Sequence, residues 1–194
     1  MSKLKNKRTF RGQVEKLDSI IEQHNFLDDF DNTQDVDATQ FLQENLKFKL
    51  AGQINKNMTV KWSDSFDNKV KDVLYIVVIN NKIVKYGMTE TSIHDRHTSL
   101  LSGLEKYSKT NKNSETNRRS YKLISRAVSS EQKAEYYCAQ LQVENITYCS
   151  VIGDELCVDN VAPTRQEERR LYNAIVSRTN GIQPILNVQV PGGR

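Results

Sequence analysis

The sequence predicts an α+β fold in which a small three-stranded antiparallel sheet is flanked by helices. Two apolar, β-branched runs, residues 73–79 and 82–87, are separated only by Asn80 and Asn81. Asn tolerates the positive φ that tight hairpin turns need, so this arrangement predicts a β-hairpin. Residues 146–152 alternate in polarity and predict the third strand, while segments with helical apolar spacing predict the helices.

Residues 1–68 are predicted to form a basic arm and a helical extension. The arm, residues 1–11, carries five basic residues and no acidic one. Apolar spacing predicts one helix over 13–27 and a second over about 38–50, which Gly52 would end. Residues 59–62 are either a short strand or a connector, and Trp62 is more typical of a packing anchor than of a base-stacking side chain.

A second domain is predicted over residues 69–190. The hairpin is followed by a helix from about 92 to 104 and by a polar insert, residues 107–120, which has no apolar period and is interpreted as a mobile loop. Helices are predicted over 121–128 and 131–142, before the third strand. A last helix is predicted over 164–178, with a glycine and a proline after it as stop signals.

The register of the hairpin decides which side chains share a face with Tyr75. The unbroken apolar run 73–79 predicts a strand that is covered on both faces. With the turn centred between the two asparagines, Tyr75 is expected opposite Tyr86 and one step from Lys85. A slip of one residue would exchange which of the two lies beside Tyr75.

Charge is distributed unevenly along the chain. The 194 residues carry a formal charge of +4 and are long enough for one domain with a decorated terminus or for two small ones. Of them, 37% are hydrophobic, which is adequate for a core, and 27% are charged, which suits a soluble protein. Residues 28–37 are acidic and are expected to face away from a polyanion, whereas the stretch 109–126 is basic. Such a run is either a solvated surface or a phosphate-binding one. Four of its residues are predicted to contact DNA: Arg118, Arg119, Lys122 and Arg126.

The cysteines and the hydropathy place limits on compartment. Cys138, Cys149 and Cys157 are an odd set without a C-x-x-C pair, which favours reduced core thiols over a disulfide framework or a zinc site. No apolar stretch is long enough for a signal peptide or a membrane span. We therefore expect a cytoplasmic protein with no membrane partner.

An ordered set of residues resembles the motifs of the GIY-YIG nuclease superfamily. Val73-Leu74-Tyr75 matches its first motif and Lys85-Tyr86-Gly87 its second. Arg96 lies in the helix that follows, Glu168 in a late helix, and Pro184-Ile185-Leu186-Asn187 matches the terminal Pro-x-x-Asn. The chain departs from the pattern at Val73, where the family has glycine, and at Lys85, where it has tyrosine. Similar lysine replacement occurs in some restriction endonucleases of the superfamily, so the chain is more similar to that branch.

The resemblance implies a phosphodiester-cleaving site built from Tyr75, Lys85, Arg96 and Glu168. Glu168 would hold one divalent ion, Mg²⁺, because a hard cation with one carboxylate and several waters is ordinary for that metal. Tyr75 would be the general base or would orient the attacking water, with Lys85 as the cation that stabilises the phenolate. Arg96 would contact the scissile phosphate. Whether Lys85 or Tyr86 fills the second-motif role stays open.

Supporting roles are expected for five further residues. His94 and His97 flank Arg96; one of them would protonate or steady the leaving group, and a solvent-facing or capping role is the alternative for either. Tyr86 would lie behind the catalytic groups. Gly87 would allow close backbone approach at the strand end. Asn187 would tie the terminal loop to the site through its amide, in a bond that is expected to be purely structural.

The function expected from this set is a type II restriction endonuclease. It would act as a homodimer on a short palindromic site in double-stranded DNA, since one single-metal site cuts one strand. A cognate methyltransferase is expected in the same system, though not as a stable partner. The alternatives are a phage or mobile-element endonuclease of looser specificity and a noncatalytic DNA-binding module on the same fold.

Overall fold

The computed structural model describes residues 37–101, 115–149, 156–179 and 183–187, and it confirms an α+β fold. The predicted basic arm, the helix over 13–27 and residues 107–114 of the predicted insert lie outside the described residues. Within the described ranges the elements are, in order, α1 (Ala38–Glu44), β1 (Lys49–Ile54), β2 (Val60–Trp62), β3 (Val73–Ile79), β4 (Lys82–Thr89), α2 (Ile93–Leu101), α3 (Glu115–Ser129), β5 (Ala134–Gln140), β6 (Glu144–Cys149), β7 (Leu156–Val161) and α4 (Thr164–Val176).

The main sheet has five antiparallel strands in the order β2-β1-β5-β3-β4 rather than the three that were predicted. The prediction of a helix over 131–142 is wrong, because residues 134–140 form β5, which is hydrogen-bonded between β1 and β3. The predicted helix over 38–50 ends at Glu44, and β1 begins at Lys49. The predicted third strand does not complete this sheet, since β6 pairs with β7 in a separate two-stranded ribbon.

The predicted hairpin is confirmed as β3 and β4, and its turn makes hydrogen bonds to two other parts of the fold. Asn80 and Asn81 have φ of 45° and 66°, the left-handed pair that a two-residue hairpin turn needs. The Asn80 backbone N–H donates to the Lys133 carbonyl, and Lys133 N–H donates to Asn80 Oδ1, both at 3.0 Å. Asn81 Oδ1 accepts from the Thr39 hydroxyl at 2.7 Å. The turn therefore joins the hairpin to the start of β5 and to α1.

Each face of β3 is covered by a different pair of helices, and all seven residues of the strand are buried. Tyr75 and Val77 pack in a cluster with side chains of α2 and α3, such as Ile93 and Leu123. The alternate residues pack in a second cluster with side chains of α1 and α4, namely Leu74, Ile76 and Val78 with Phe41, Leu171 and Ile175. No described helix has the length and apolar character needed to cross a bilayer.

Candidate active site

A β-bulge in the hairpin brings Lys85 to the face of Tyr75. Near the turn the pairing follows the predicted register, with Val78 opposite Ile83. The next pair is Val77 with Lys85, so Val84 is the extra residue, and Tyr75 then lies opposite Gly87. The prediction that Tyr75 faces Tyr86 is therefore wrong by one residue, for the reason that a bulge inserts one residue into one strand. Because Lys85 lies two positions from Gly87, it shares the face of Tyr75.

Tyr86 consequently points to the opposite face of the sheet. Its ring is fully buried in the cluster covered by α4 and lies 6.2 Å from the ring of Tyr172. Its hydroxyl donates to Gln183 Oε1 at 3.4 Å. Of the two residues for which the second-motif role was left open, the structure thus places Lys85, and not Tyr86, beside Tyr75.

Arg96 is fixed against the phenol of Tyr75. Helix α2 begins with a reciprocal cap, in which Asp95 N–H donates to Ser92 Oγ at 3.0 Å and the Ser92 hydroxyl donates to Asp95 Oδ2 at 2.7 Å. One residue further on, Arg96 Nε donates to Tyr75 Oη at 3.0 Å. Its Nη2 donates to Asn117 Oδ1 at 3.3 Å. The capped start of α2 thereby directs a guanidinium onto the strand that carries Tyr75.

Glu168 reaches the same place from α4, on the other side of the edge strand β4. Its carboxylate accepts a hydrogen bond from the Met88 backbone N–H, and the charges of Lys85 and Arg96 act on it. Partial burial raises the pKa of Glu168, while Lys85 and Arg96 oppose the rise. The carboxylate also acts electrostatically on Tyr75. Tyr75, Lys85, Arg96 and Glu168, hereafter the four-residue site, are therefore brought together by elements far apart in the chain.

Burial dominates the protonation equilibria of the site. Lys85 is 7% exposed, and desolvation, helped by Arg96, lowers its pKa to about 7 against the pull of Glu168. Its Nζ makes a long contact of 3.5 Å with the Leu186 carbonyl oxygen. Burial raises the pKa of Tyr75, and Arg96 only partly offsets it. The cation that acts on Tyr75 is thus Arg96, and desolvation of the phenolate outweighs its charge.

The terminal segment 183–187 is tied to β4 through Asn187. Asn187 Oδ1 accepts from Tyr86 N–H at 2.8 Å, and its Nδ2 donates to the Tyr86 carbonyl at 2.9 Å. Leu186 N–H donates to the Val84 carbonyl at 3.0 Å. These bonds satisfy backbone groups on the outer edge of β4, the last strand of the sheet. Asn187 thus ties the terminal segment to the backbone of Tyr86, the residue after Lys85.

The two histidines beside Arg96 lie away from the four-residue site. His97 is buried; its Nε2 donates to the Met58 carbonyl at 2.8 Å, so its Nδ1 accepts from the Tyr136 hydroxyl at 3.1 Å. Both ring nitrogens are therefore engaged in the core. His94 lies in an exposed position, with its ring 6.0 Å from that of Trp62. Neither position favours the leaving-group role that was considered for them.

The predicted DNA-binding residues lie on α3, which begins at Glu115, inside the segment interpreted as a loop. Lys122 is exposed, Arg118 and Arg126 are half-buried, and Arg119 is buried. Burial removes Arg119 from the surface that is open to a polyanion. Sequence reasoning also missed Asn117, the partner of Arg96. Its position in a polar stretch without apolar period offered no signal.

The chemistry of the donors decides which metal would suit the site. Among the described residues no three His, Cys, Asp or Glu side chains are grouped as metal ligands. Glu168 is the carboxylate of the four-residue site, and it is partly exposed. One carboxylate with open access fits a hard cation that retains most of its water, as Mg²⁺ does, and does not fit zinc, which requires three or four protein ligands.

Comparisons with known proteins identify the fold. No protein-family model matches the chain, and no curated protein matches its sequence. The structure is similar to that of the restriction endonuclease HPY188I in complex with product DNA, with a TM-score of 0.51 and 21% identity over 76% of this chain and 84% of that one. It is also similar to a mutant of bacteriophage T4 EndoII, with a TM-score of 0.52 and 18% identity over 74% of this chain and 98% of that one. At these identities the likeness establishes a shared fold.

Proposed function

We propose that this chain is a metal-dependent endonuclease that hydrolyses phosphodiester bonds in double-stranded DNA, as the resemblance to the GIY-YIG superfamily implies. The observation that carries the proposal is the convergence of Tyr75, Lys85, Arg96 and Glu168 from β3, β4, α2 and α4. A phenol, an amine, a guanidinium and a carboxylate supply the four kinds of group that this hydrolysis needs. The fold shared with a restriction endonuclease that was solved with product DNA supports it.

The roles of the residues follow from their positions. Arg96 donates to Tyr75 Oη and has further N–H groups for a phosphate oxygen, so it would hold the scissile phosphate beside the phenol. Tyr75 would orient the attacking water; as a phenolate stabilised by the Arg96 N–H, it would accept the proton of that water and become the neutral phenol. Lys85, on the same face, would hold that water or share the proton. Glu168 would hold Mg²⁺, which when bound supplies charge stabilisation to the leaving oxygen.

A type II restriction enzyme is the form of this activity that we favour. A homodimer would place two such sites on the two strands of a short palindrome, because one site cuts one strand. The genes beside that of this chain would then include a methyltransferase. The likeness to bacteriophage T4 EndoII, which extends over 98% of that chain, favours a phage-type nuclease as the second candidate. Discrete plasmid fragments would support the first, and a smear or rare cuts the second.

A noncatalytic DNA-binding module on the same fold is the alternative from another class. It is less favoured because a carboxylate held among phosphate-binding cations weakens binding unless a metal uses it. The deciding experiment is incubation of supercoiled plasmid DNA with the protein, with Mg²⁺ and with excess chelator. We expect nicked and linear products with Mg²⁺ alone. Intact plasmid with Mg²⁺ or Mn²⁺, across unmethylated substrates of varied sequence, would remove the enzyme proposal.

A further inference from the structure

The guanidinium of Arg96 is held at two points. Nε donates to Tyr75 Oη at 3.0 Å and Nη2 donates to Asn117 Oδ1 at 3.3 Å. Arginine has five N–H donors in one plane, so these two bonds fix the plane and leave three donors for another partner. A single bond at Nε would leave the group free to rotate about that bond. The second bond therefore sets the direction in which the remaining donors point.

Asn117 is itself held rigidly. It is 8% exposed and lies near the start of α3, and its Nδ2 donates to the Ser99 carbonyl at 3.2 Å and to Ser99 Oγ at 3.4 Å. Ser99 is in the last turn of α2, where carbonyl groups lack partners within the helix. The bond to this carbonyl also decides which end of the amide faces Arg96, because a carbonyl only accepts and a guanidinium only donates.

A neutral amide has an advantage over a carboxylate at this position. An aspartate would form an ion pair with Arg96 and would compete with a phosphate for its charge. An amide oxygen accepts one hydrogen bond and leaves the positive charge uncompensated. Asn117 therefore orients Arg96 through a neutral acceptor, and its own amide is fixed by the Ser99 carbonyl. The charge of Arg96 stays available for a phosphate.

We propose that Asn117 is a positioning residue that orients the Arg96 guanidinium toward the scissile phosphate. The inference rests on the proposed endonuclease function. Because orientation matters most where charge builds up in the transition state, removal of Asn117 lowers kcat and leaves the KM for DNA nearly unchanged. We expect a loss of about 10- to 100-fold in kcat, the range that corresponds to one hydrogen bond to a charged group.

Two substitutions separate the two ends of the amide. Asn117→Ala removes both, whereas Asn117→Asp keeps an acceptor for Arg96 and loses the donor for Ser99. Because the aspartate would form an ion pair with Arg96, we expect Asn117→Asp to raise the KM for DNA, which Asn117→Ala leaves nearly unchanged. Asn173→Ala is the matched control, since it removes an exposed asparagine from α4. In an Arg96→Lys background, which has no Nη2, Asn117→Ala causes little further loss. An aspartate variant whose KM for DNA equals that of wild type, or a full further loss in that background, would overturn the inference.

A readout that does not depend on cleavage separates this inference from the proposed function. The ¹H–¹⁵N signal of Arg96 Nε, assigned by its disappearance in Arg96→Lys, reports how firmly the guanidinium is held. We expect hydrogen exchange at this group to accelerate about tenfold in Asn117→Ala, the factor for one such hydrogen bond, and to be unchanged in Asn173→Ala. Unchanged exchange in Asn117→Ala contradicts the inference whether or not the wild type cuts DNA. Faster exchange in a protein that does not cut DNA supports the orienting contact and removes the endonuclease proposal alone.

Discussion

A Cβ atom on Gly87 would lie 2.6 Å from Tyr75 Oη and 2.8 Å from its Cζ. The two residues are cross-strand partners, and the phenol of Tyr75 lies directly over the glycine. Its hydroxyl accepts the hydrogen bond from Arg96. Any side chain at position 87 must therefore displace the hydroxyl that Arg96 contacts.

Gly87→Ala is expected to abolish cleavage while leaving DNA binding intact. Displacement of the phenol breaks its alignment with Arg96, and overpacking of this kind costs about 1–3 kcal/mol of unfolding free energy. Gly52→Ala is the matched control, because its Cβ would also meet an atom at 2.6 Å, Val60 Cγ1, on the strands β1 and β2. Plasmid cleavage and thermal unfolding should show both variants destabilised and only Gly87→Ala inactive. Equal cleavage activity in Gly87→Ala and Gly52→Ala would show that cleavage does not depend on the position of the Tyr75 hydroxyl.

Tyr75→Phe tests the hydroxyl itself. Loss of a group that handles a proton in the transition state lowers the cleavage rate by about 10²–10⁴-fold. The ring and its packing against Tyr136 remain, so the fold is retained. Tyr121→Phe, on a half-buried tyrosine of α3, serves as the comparison. Single-turnover cleavage rates provide the measurement, and wild-type rates in Tyr75→Phe would assign the proton transfer to another group.

Glu168→Gln is expected to remove the proposed metal-dependent cleavage. Losing a group that merely supports a metal ligand costs about 10–100-fold, so losing the ligand should cost at least about 100-fold. Glu167→Gln is the control on the same helix, since Glu167 pairs with Arg170 instead. Titration of Mn²⁺ or Mg²⁺ against cleavage rate distinguishes the two. If the two variants show the same dependence of cleavage rate on metal concentration, Glu168 does not hold the ion.

His97 should make stability depend on pH. Burial lowers its pKa in the folded chain from the ordinary value of 6.5, so the unfolded chain binds this proton more readily. Unfolding therefore takes up a proton between the two pKa values, and the free energy of unfolding falls as the pH drops below about 6.5. Above that pH the contribution is constant. Urea unfolding from pH 5 to 6.5, below the pKa of about 7 of Lys85, should show the slope in wild type and in His94→Gln, which removes an exposed histidine. A persisting slope in His97→Gln would place its origin elsewhere.

Asn187→Ala is expected to release the segment 183–187 from β4. Two hydrogen bonds to the backbone of Tyr86 are lost, which costs about 1–3 kcal/mol locally. The amide of Tyr86 should then exchange with solvent faster, while the amide of Ile76, in the middle of β3, keeps its protection. Amide hydrogen exchange followed by NMR measures both. Unchanged protection at Tyr86 would show that Leu186 holds the segment without Asn187.

The hairpin and the last helix were predictable because their signals are local. Two adjacent asparagines define the turn, and apolar spacing defines α4. Strand β5 was missed because it is covered on both faces, and its sequence, Ala-Glu-Tyr-Tyr-Cys-Ala-Gln, lacks a polar alternation. The order of Tyr75, Lys85, Arg96 and Glu168 was visible in the sequence, and their convergence was implied only by the resemblance. The bulge and the contact with Asn117 arise from long-range packing, which no local pattern records.

The bulge at Val84 makes the interval between two residues as important as their identity. In a two-residue hairpin without a bulge, two residues on different strands that share a face are separated by an odd number of positions in the sequence. A bulge between them adds one residue and makes that number even. The ten positions from Tyr75 to Lys85 therefore suit only a hairpin with one inserted residue. A deletion of one residue between Val78 and Lys85 would move the amine to the far face without altering any member of the site. In chains of this fold, the length of the hairpin is thus a criterion for deciding which residue of the second motif can take part in chemistry.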